Sequence, residues 1–364
     1  MPRRAMSAAV RVIRRGALVL ALCGGAPALA NGDAALRSPW DGRRPGGAGG
    51  SQAAAYRCPP AVHLPRDLAA EAYYADAQRS IPDPRRLAAW RKTSRPFHAA
   101  LAAVEAAADA FQETGSAAAG RCALGLLDGL AAEGALAGAV SSEQAAYLRS
   151  WSAGALALAY LKVRPGRLAP PAQAARLGAW LGRLGTAVRA RSEARQAAGK
   201  LDAQNNHRYW DGLAVAAAGI GAERPAELAF GAEVFGEAAH AVRADGTLPL
   251  EVARGRRALH YHLFAAAPLV VLAELSAANG ADLYATDGGA LHRLVRRIAG
   301  DLRGEGAVAA QAGEEQDVRG TDDLRPGELA WTRPYLRRFP DPALEVLRPA
   351  KDAPDPYLGG LGPP

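Results

Sequence analysis

Asn205-Asn206-His207-Arg208-Tyr209-Trp210 sets two amides, an imidazole, a guanidinium, a phenol and an indole side by side. Buried polar side chains cost free energy unless each finds a partner, so core packing alone does not call for such a run. A cleft that handles a polar, anionic ligand does. A second dense stretch follows further along: Arg254, Arg256, Arg257, His260, Tyr261 and His262. An imidazole titrates near neutral pH, and a phenol needs neighbouring cations before it can act as a base. Together the two stretches read as an acid–base site with a positive rim.

Other chemistries find less support. His260 and His262 stand two apart, so on a helix they project from different sides and make a poor metal pair. No His-x-x-x-His or Cys-x-x-Cys spacing occurs, and neither a metal nor another cofactor is expected. There is no Gly-x-Ser-x-Gly elbow and no glycine-rich phosphate loop. His240 and His292 read as surface or helix-end histidines. Arg256 and Arg257 read as a solvated face, one of them available to an anionic ligand. Tyr209 and Trp210 are each either core residues or stacking platforms for a ligand.

The elements that position these groups must be helices. Ala and Leu dominate, and β-branched and aromatic residues are sparse. Apolar residues recur at helical spacing over 84–111 (Leu87, Trp90, Phe97, Leu101), 117–132, 143–162 (Tyr147, Leu148, Trp151), 172–195, 207–220, 225–243, 256–278 and 288–302. Thr247 to Val252 is the best short strand candidate. The class is all-α, with roughly eight to ten helices joined by short loops. Helix hairpins can pack as a bundle, a solenoid or an α/α toroid, and periodicity does not choose among them.

The ends bear on compartment. Residues 1–30 read as a secretory signal: a basic start (Arg3, Arg4, Arg11, Arg14, Arg15), an apolar run from Gly16 to Gly25, and Ala28-Leu29-Ala30 at the cleavage point. The apolar run is too short to span a bilayer. The segment holds five arginines and no acid, so its removal lowers the formal charge from +8 to +3. That is no nucleic-acid footprint, and no membrane association is expected after cleavage. The expected place is periplasmic or secreted. There Cys58 and Cys122 are expected to form a disulfide. Residues 31–55 read as a disordered lead-in, 56–347 as one helical domain and 348–364 as a loose tail.

The chain resembles the polysaccharide lyase family that contains the bacterial alginate (polymannuronate) lyases. Asn205-Asn206-His207-Arg208-Tyr209-Trp210 is similar to the family's Asn-Asn-His-x-Tyr-Trp, and the segment Arg254 to Tyr261 to its Arg-x-x-x-x-Leu-x-Tyr element. Supporting matches are Arg121-Cys122-Ala123-Leu124 with Gly134-Ala135-Leu136, Asn279-Gly280-Ala281-Asp282-Leu283, Gly313-Glu314-Glu315-Gln316-Asp317, and Trp331, Pro334 and Tyr335. The resemblance runs from about Cys58 to about Leu347.

It implies an incomplete α/α toroid with a central groove, and β-elimination at a uronic acid. It places Asn206, His207 and Arg254 around the sugar carboxylate. Tyr261 becomes the acid to the leaving oxygen and also the base, with its pKa lowered by Arg254. The alternative has His207 as base and Tyr261 as acid only. Asn205, Tyr209, Trp210, Arg257, His260, Tyr73 and Tyr74 are the expected substrate contacts. The partner is then an anionic polysaccharide and the protein a monomer. Where family members carry Lys-Tyr-Glu-Gly, this chain has Ala72-Tyr73-Tyr74-Ala75-Asp76 at the start of an expected lid loop, and Leu263-Phe264 replaces an Asn-Tyr. These departures bear on the sugar preferred. Two other readings are a lyase for another polyuronate such as polyglucuronate, and a non-catalytic polysaccharide-binding protein.

Overall fold

The fold is that of a computed structural model, which describes residues 35–42, 45–46, 56–348 and 353–360. The signal expected over residues 1–30 lies outside the described residues. Polar caps and prolines start the helices. Asp83 accepts a hydrogen bond from the Arg86 N–H and Pro84 takes the first position of α1 (Pro84–Thr114). Gly115, at φ 71°, closes α1 by donating to the Phe111 carbonyl. Ser116 caps α2 (Ala117–Ala132) and Ser142 caps α3 (Glu143–Val163). Proline opens α4 (Pro171–Ala197) and α6 (Pro225–Ala241), and Asn205 caps α5 (Asn206–Gly221) between them. There follow α7 (Pro249–Val252), α8 (Ala258–Ala277), α9 (Thr286–Leu302), α10 (Ala307–Ala312), α11 (Thr332–Arg338) and α12 (Pro342–Glu345).

No strand occurs among the described residues, only isolated bridges such as Leu68 with Val140. The strand expected at Thr247 to Val252 is corrected: Pro249–Val252 is a helical turn. Pro249 has no N–H to give a ladder, and its fixed φ suits a first helical position. The Val252 N–H goes back to the Leu248 carbonyl at 2.9 Å.

The long helices form two layers, an incomplete α/α toroid. In the inner layer α3 packs on α1 and α5, and α5 packs on α8. In the outer layer α2 meets α4 and α6 meets α9. All sixteen residues of α5 are buried, as is every residue of α3 after Glu143. The alanine and glycine content makes this burial workable, because small residues let backbones approach. A Cβ on Gly154 of α3 would stand 3.3 Å from the Ala214 Cα of α5. One on Gly212 of α5 would meet Val234 of α6 at 2.7 Å.

Cys58 and Cys122 are joined, with 5.6 Å between their Cα atoms. This ties the arm before the lid to α2. Two expectations about the ends are corrected. Residues 35–42 are not a loose lead-in: Trp40 is 2 % exposed, and Asn279 clasps the Arg37 backbone through both N–H and carbonyl. Residues 353–360 are not a loose tail: Leu358 is fully buried, and the buried Lys162 ammonium donates to the Gly359 carbonyl. Gly and Pro content suggests disorder, but here Gly359 and Gly360 take φ of 72° and 86° to lie close against α3 and α1.

Candidate active site

A cavity of about 290 Å³ opens at the N-terminal turns of the inner helices. Glu143, Gln144, Tyr147 and Trp151 reach it from α3, His207 from α5, and His260, Tyr261 and Phe264 from α8, while Trp90 and His98 come from α1. Caps accept N–H groups in the first turns of α3, α5 and α8, so what these helices offer an anion is the positive end of the helix dipole. The cavity is covered by Tyr73, Tyr74 and Arg79 of the loop 72–82, by Arg325–Glu328, and by Asp355–Tyr357.

Asn205 sets His207 in place. Its side-chain oxygen accepts the His207 N–H at 3.1 Å, and it does not line the cavity. The His207 ring stacks on Tyr147 at 3.7 Å and 10°. Burial holds its pKa well below the ordinary histidine value, and the charges of Arg79 and Arg254 add to that, so the ring is neutral at pH 7. Its Nδ1 is buried without a hydrogen-bond partner. Asn206 is fully buried behind it, with backbone and amide nitrogens bonded to the carboxylate of Glu251 at 2.8–3.0 Å. Its amide nitrogen is engaged by Glu251, its side-chain oxygen has no hydrogen-bond partner, and the residue does not line the cavity in this closed arrangement.

Tyr261 sits one turn into α8. That helix has no cap of its own; Gln316 supplies one, accepting the Leu259 N–H at 2.9 Å and donating to the Gly255 carbonyl. The matched segment Gly313 to Asp317 therefore orients the helix that carries Tyr261. The Arg254 guanidinium lies 3.5 Å from the Tyr261 ring centre and that of Arg257 lies 5.4 Å from it. The hydroxyl meets the Tyr74 hydroxyl at 2.7 Å and reaches toward the Arg79 carbonyl at 3.4 Å. The expected lowering of its pKa is corrected. Burial raises it, and this outweighs the downward pull of Arg254 and Arg257.

Loop 72–82 is folded down on the site. Arg254 donates to the Gln78 carbonyl at 2.6 Å and the Arg79 carbonyl at 3.1 Å. Arg257 donates to the Tyr74 hydroxyl and pairs with Asp317 at 3.2 Å. His260 lies 3.7 Å from Glu328 and is held neutral, chiefly by burial and then by Arg257.

Of the expected contacts, Tyr73, Tyr74, Arg257 and His260 line the cavity with His207, Arg254 and Tyr261. Tyr209 and Trp210 do not, which corrects their assignment as sugar platforms. Both are 2 % exposed, and the Trp210 indole donates to the Phe264 carbonyl from within the core. Arg208 is likewise structural, bonded to Glu237, Ser192 and Gln196. His262 is buried as a strut between the Leu248 N–H and the Ala258 carbonyl. Sequence reasoning missed Tyr147, Trp151, Trp90, Arg325 and Tyr357, while Phe264, singled out as a departure from the family, does line the cavity. Tyr147 and Trp151 stand four apart on α3, a spacing that reads as core; the polar Glu143-Gln144 just before them is the one local hint.

The family model described as alginate lyase matches residues 67–306. A polysaccharide lyase of Stenotrophomonas maltophilia is 35 % identical over 78 % of this chain and 82 % of its own. An alginate lyase of Azotobacter vinelandii is 32 % identical over 73 % of this chain and 71 % of its own. Among solved structures, alginate lyase A1-III from Sphingomonas species A1 superposes with a TM-score of 0.67 at 24 % identity, covering 83 % of both chains. A variant of the same enzyme complexed with a tetrasaccharide reaches 0.71 at 22 % identity over 83 % and 82 %. These structural likenesses speak for the fold, and the sequence matches speak for the family: the chain belongs to the alginate lyase family.

Proposed function

We propose that the protein is a polysaccharide lyase that cleaves alginate, at mannuronate residues, by β-elimination. The observation that carries this reading is the shared cavity of His207 and Tyr261, one held neutral and the other held protonated, under the guanidiniums of Arg254 and Arg257. The cations in its lining (Arg79, Arg254, Arg257, Arg325) suit sugar carboxylates, and the aromatic rings (Tyr73, Trp90, Trp151, Phe264) suit the apolar faces of sugars.

The proton on C5 is weakly acidic because its removal adds charge beside a carboxylate, so a donor must neutralise that carboxylate beforehand. Arg254 does this once the lid carbonyls withdraw, while Asn206, tied to Glu251, fixes the floor behind His207. The neutral imidazole of His207 takes the C5 proton. The electron pair forms the C4–C5 double bond, the C4–O4 bond breaks, and Tyr261 gives its proton to the departing oxygen. Proton return from the imidazolium to the phenolate resets the pair. A protonated Tyr261 suits the acid role, and the pH profile decides whether it is also the base.

The reading includes export and action as a single copy. The leader-like N-terminus and the Cys58–Cys122 bond support the first. The test is to incubate purified protein with mannuronate-rich, guluronate-rich and glucuronate polymers and follow ultraviolet absorbance of the new conjugated double bond. Absorbance growing fastest on the mannuronate polymer is expected. Retained binding with no absorbance on any polymer would leave a binding protein instead.

A further inference from the structure

The geometry points to a second sugar-binding element that is remote in sequence: the segment Asp355–Gly360 forms a fixed wall of the cavity, and the Tyr357 ring, beside Trp151, is a stacking platform for a sugar residue of the bound chain. This rests on the polyuronate reading above and deepens it.

Asp355, Pro356 and Tyr357 line the same cavity as His207 and Tyr261. The Tyr357 ring is half-buried, its centre 5.2 Å from that of Trp151 at a tilt of 36°. Its hydroxyl is hydrogen-bonded to His98 Nε2 at 2.8 Å, so the ring cannot swing about its Cα without losing that bond. Burial first, and then Arg325, lowers the His98 pKa, which leaves a neutral partner that holds the hydroxyl without adding charge to the wall. A partly exposed ring beside an indole, fixed at its tip, offers an apolar face to the C–H face of a pyranose at little entropic cost.

The segment is built to stay where it is. A Cβ on Gly359 would stand 2.7 Å from the Leu158 Cβ, and one on Gly360 would stand 2.3 Å from an Asp109 carboxylate oxygen. The fully buried Lys162 ammonium reaches both Asp109 and the Gly359 carbonyl. On the other side, a Cβ on Gly327 would meet the Pro354 carbonyl at 2.5 Å. The segment thus lies close against α3 and α1 at one end and against the Gly327 backbone at the other. A wall held in this way positions a bound sugar relative to Tyr261, as a mobile flap would not.

The experiment compares wild type, Tyr357→Ala, Tyr357→Leu and Tyr357→Phe on mannuronate oligomers of increasing length. Loss of one aromatic platform is expected to raise KM about tenfold in the alanine and leucine variants, with kcat within about twofold. Tyr357→Phe keeps the face and is expected to stay within about threefold of wild type in KM. Tyr357→Leu keeps most of the volume, so it answers the question if the alanine variant fails to fold. An unchanged KM in a folded leucine or alanine variant overturns the proposal. So does an equal rise in the phenylalanine variant, which would trace the effect to the His98 bond. Binding of the same oligomers, read by tryptophan fluorescence, runs alongside. If wild type binds without cleaving, the lyase reading fails and the same weakening in Tyr357→Leu still upholds the wall. If wild type binds no uronate oligomer, the wall proposal falls too.

Discussion

Helix α5 and the loop 72–82 serve the same cavity by opposite means. The helix is buried on every side, and its neighbours approach through glycine and alanine. The loop is held by exchangeable polar bonds. Asp76 accepts the Ser80 and Ile81 N–H groups, Arg254 holds two of its carbonyls, and Ile81 is 53 % exposed. Arg79 within it takes a left-handed φ of 55°, unusual for a residue with a side chain. Groups that must not move are fixed by packing. Groups that must make way for a substrate are fixed by hydrogen bonds that a substrate can replace.

The largest expected effect tests the fixed side. Tyr261→Phe keeps the ring over which Arg254 lies and removes only the hydroxyl, so turnover should fall by roughly 10³–10⁴ with polymer binding and melting temperature nearly unchanged. Initial rates and a binding isotherm check it; activity within tenfold of wild type would break the site assignment. Next comes the helix itself. Trp210→Ala empties a core site behind the cavity and should cost about 3–5 kcal/mol of stability, measured by denaturant unfolding. A loss below about 1 kcal/mol would put Trp210 back among the sugar contacts.

The pH profile sharpens the division of labour between His207 and Tyr261. The pKa of His207 is lowered, so it gains its proton only well below the ordinary histidine value near ~6.5. That of Tyr261 is raised, so it loses its proton only above the ordinary tyrosine value near ~10. With His207 as base and Tyr261 as acid, kcat/KM should stay flat through neutral pH, fall on the acid side below ~6.5, and fall on the alkaline side only above ~10. A rate that climbs steadily from neutral to alkaline pH would make Tyr261 the base. The smallest effect belongs to the loop. Tyr74→Phe removes the hydroxyl that meets Tyr261 and Arg257, and should change kcat/KM by less than about tenfold without moving the melting temperature.

The reach of the sequence follows the same line. His207, Arg254 and Tyr261 were legible because they stand in the two motifs that carry the resemblance; crowding alone would equally have picked Arg208 and His262, which serve as buried struts. The helices were legible because caps, prolines and apolar spacing act locally. Trp151 and Trp210 show where this stops. Each is a tryptophan in the first half of an inner helix, yet one lines the cavity and the other packs in the core. The difference is the rotation of each helix against its neighbours, which only tertiary packing sets. The direction of the Tyr261 shift is of the same kind. Its cationic neighbours can be read from the chain, but the burial that outweighs them cannot. Tyr357 was hidden by its setting among prolines and glycines, a composition shared by loose tails and by segments that lie close on a helix.

The two lid carbonyls on Arg254 have one more consequence. On the proposed reading they are a tethered competitor for the guanidinium that a sugar carboxylate would take. Every binding event is therefore an exchange, and the measured affinity is the intrinsic affinity scaled by the fraction of molecules with the loop raised. A ligand that presents no carboxylate at that point gains nothing from lifting the loop. The enzyme would then reject neutral polysaccharides before any chemistry, because they give the loop no reason to leave.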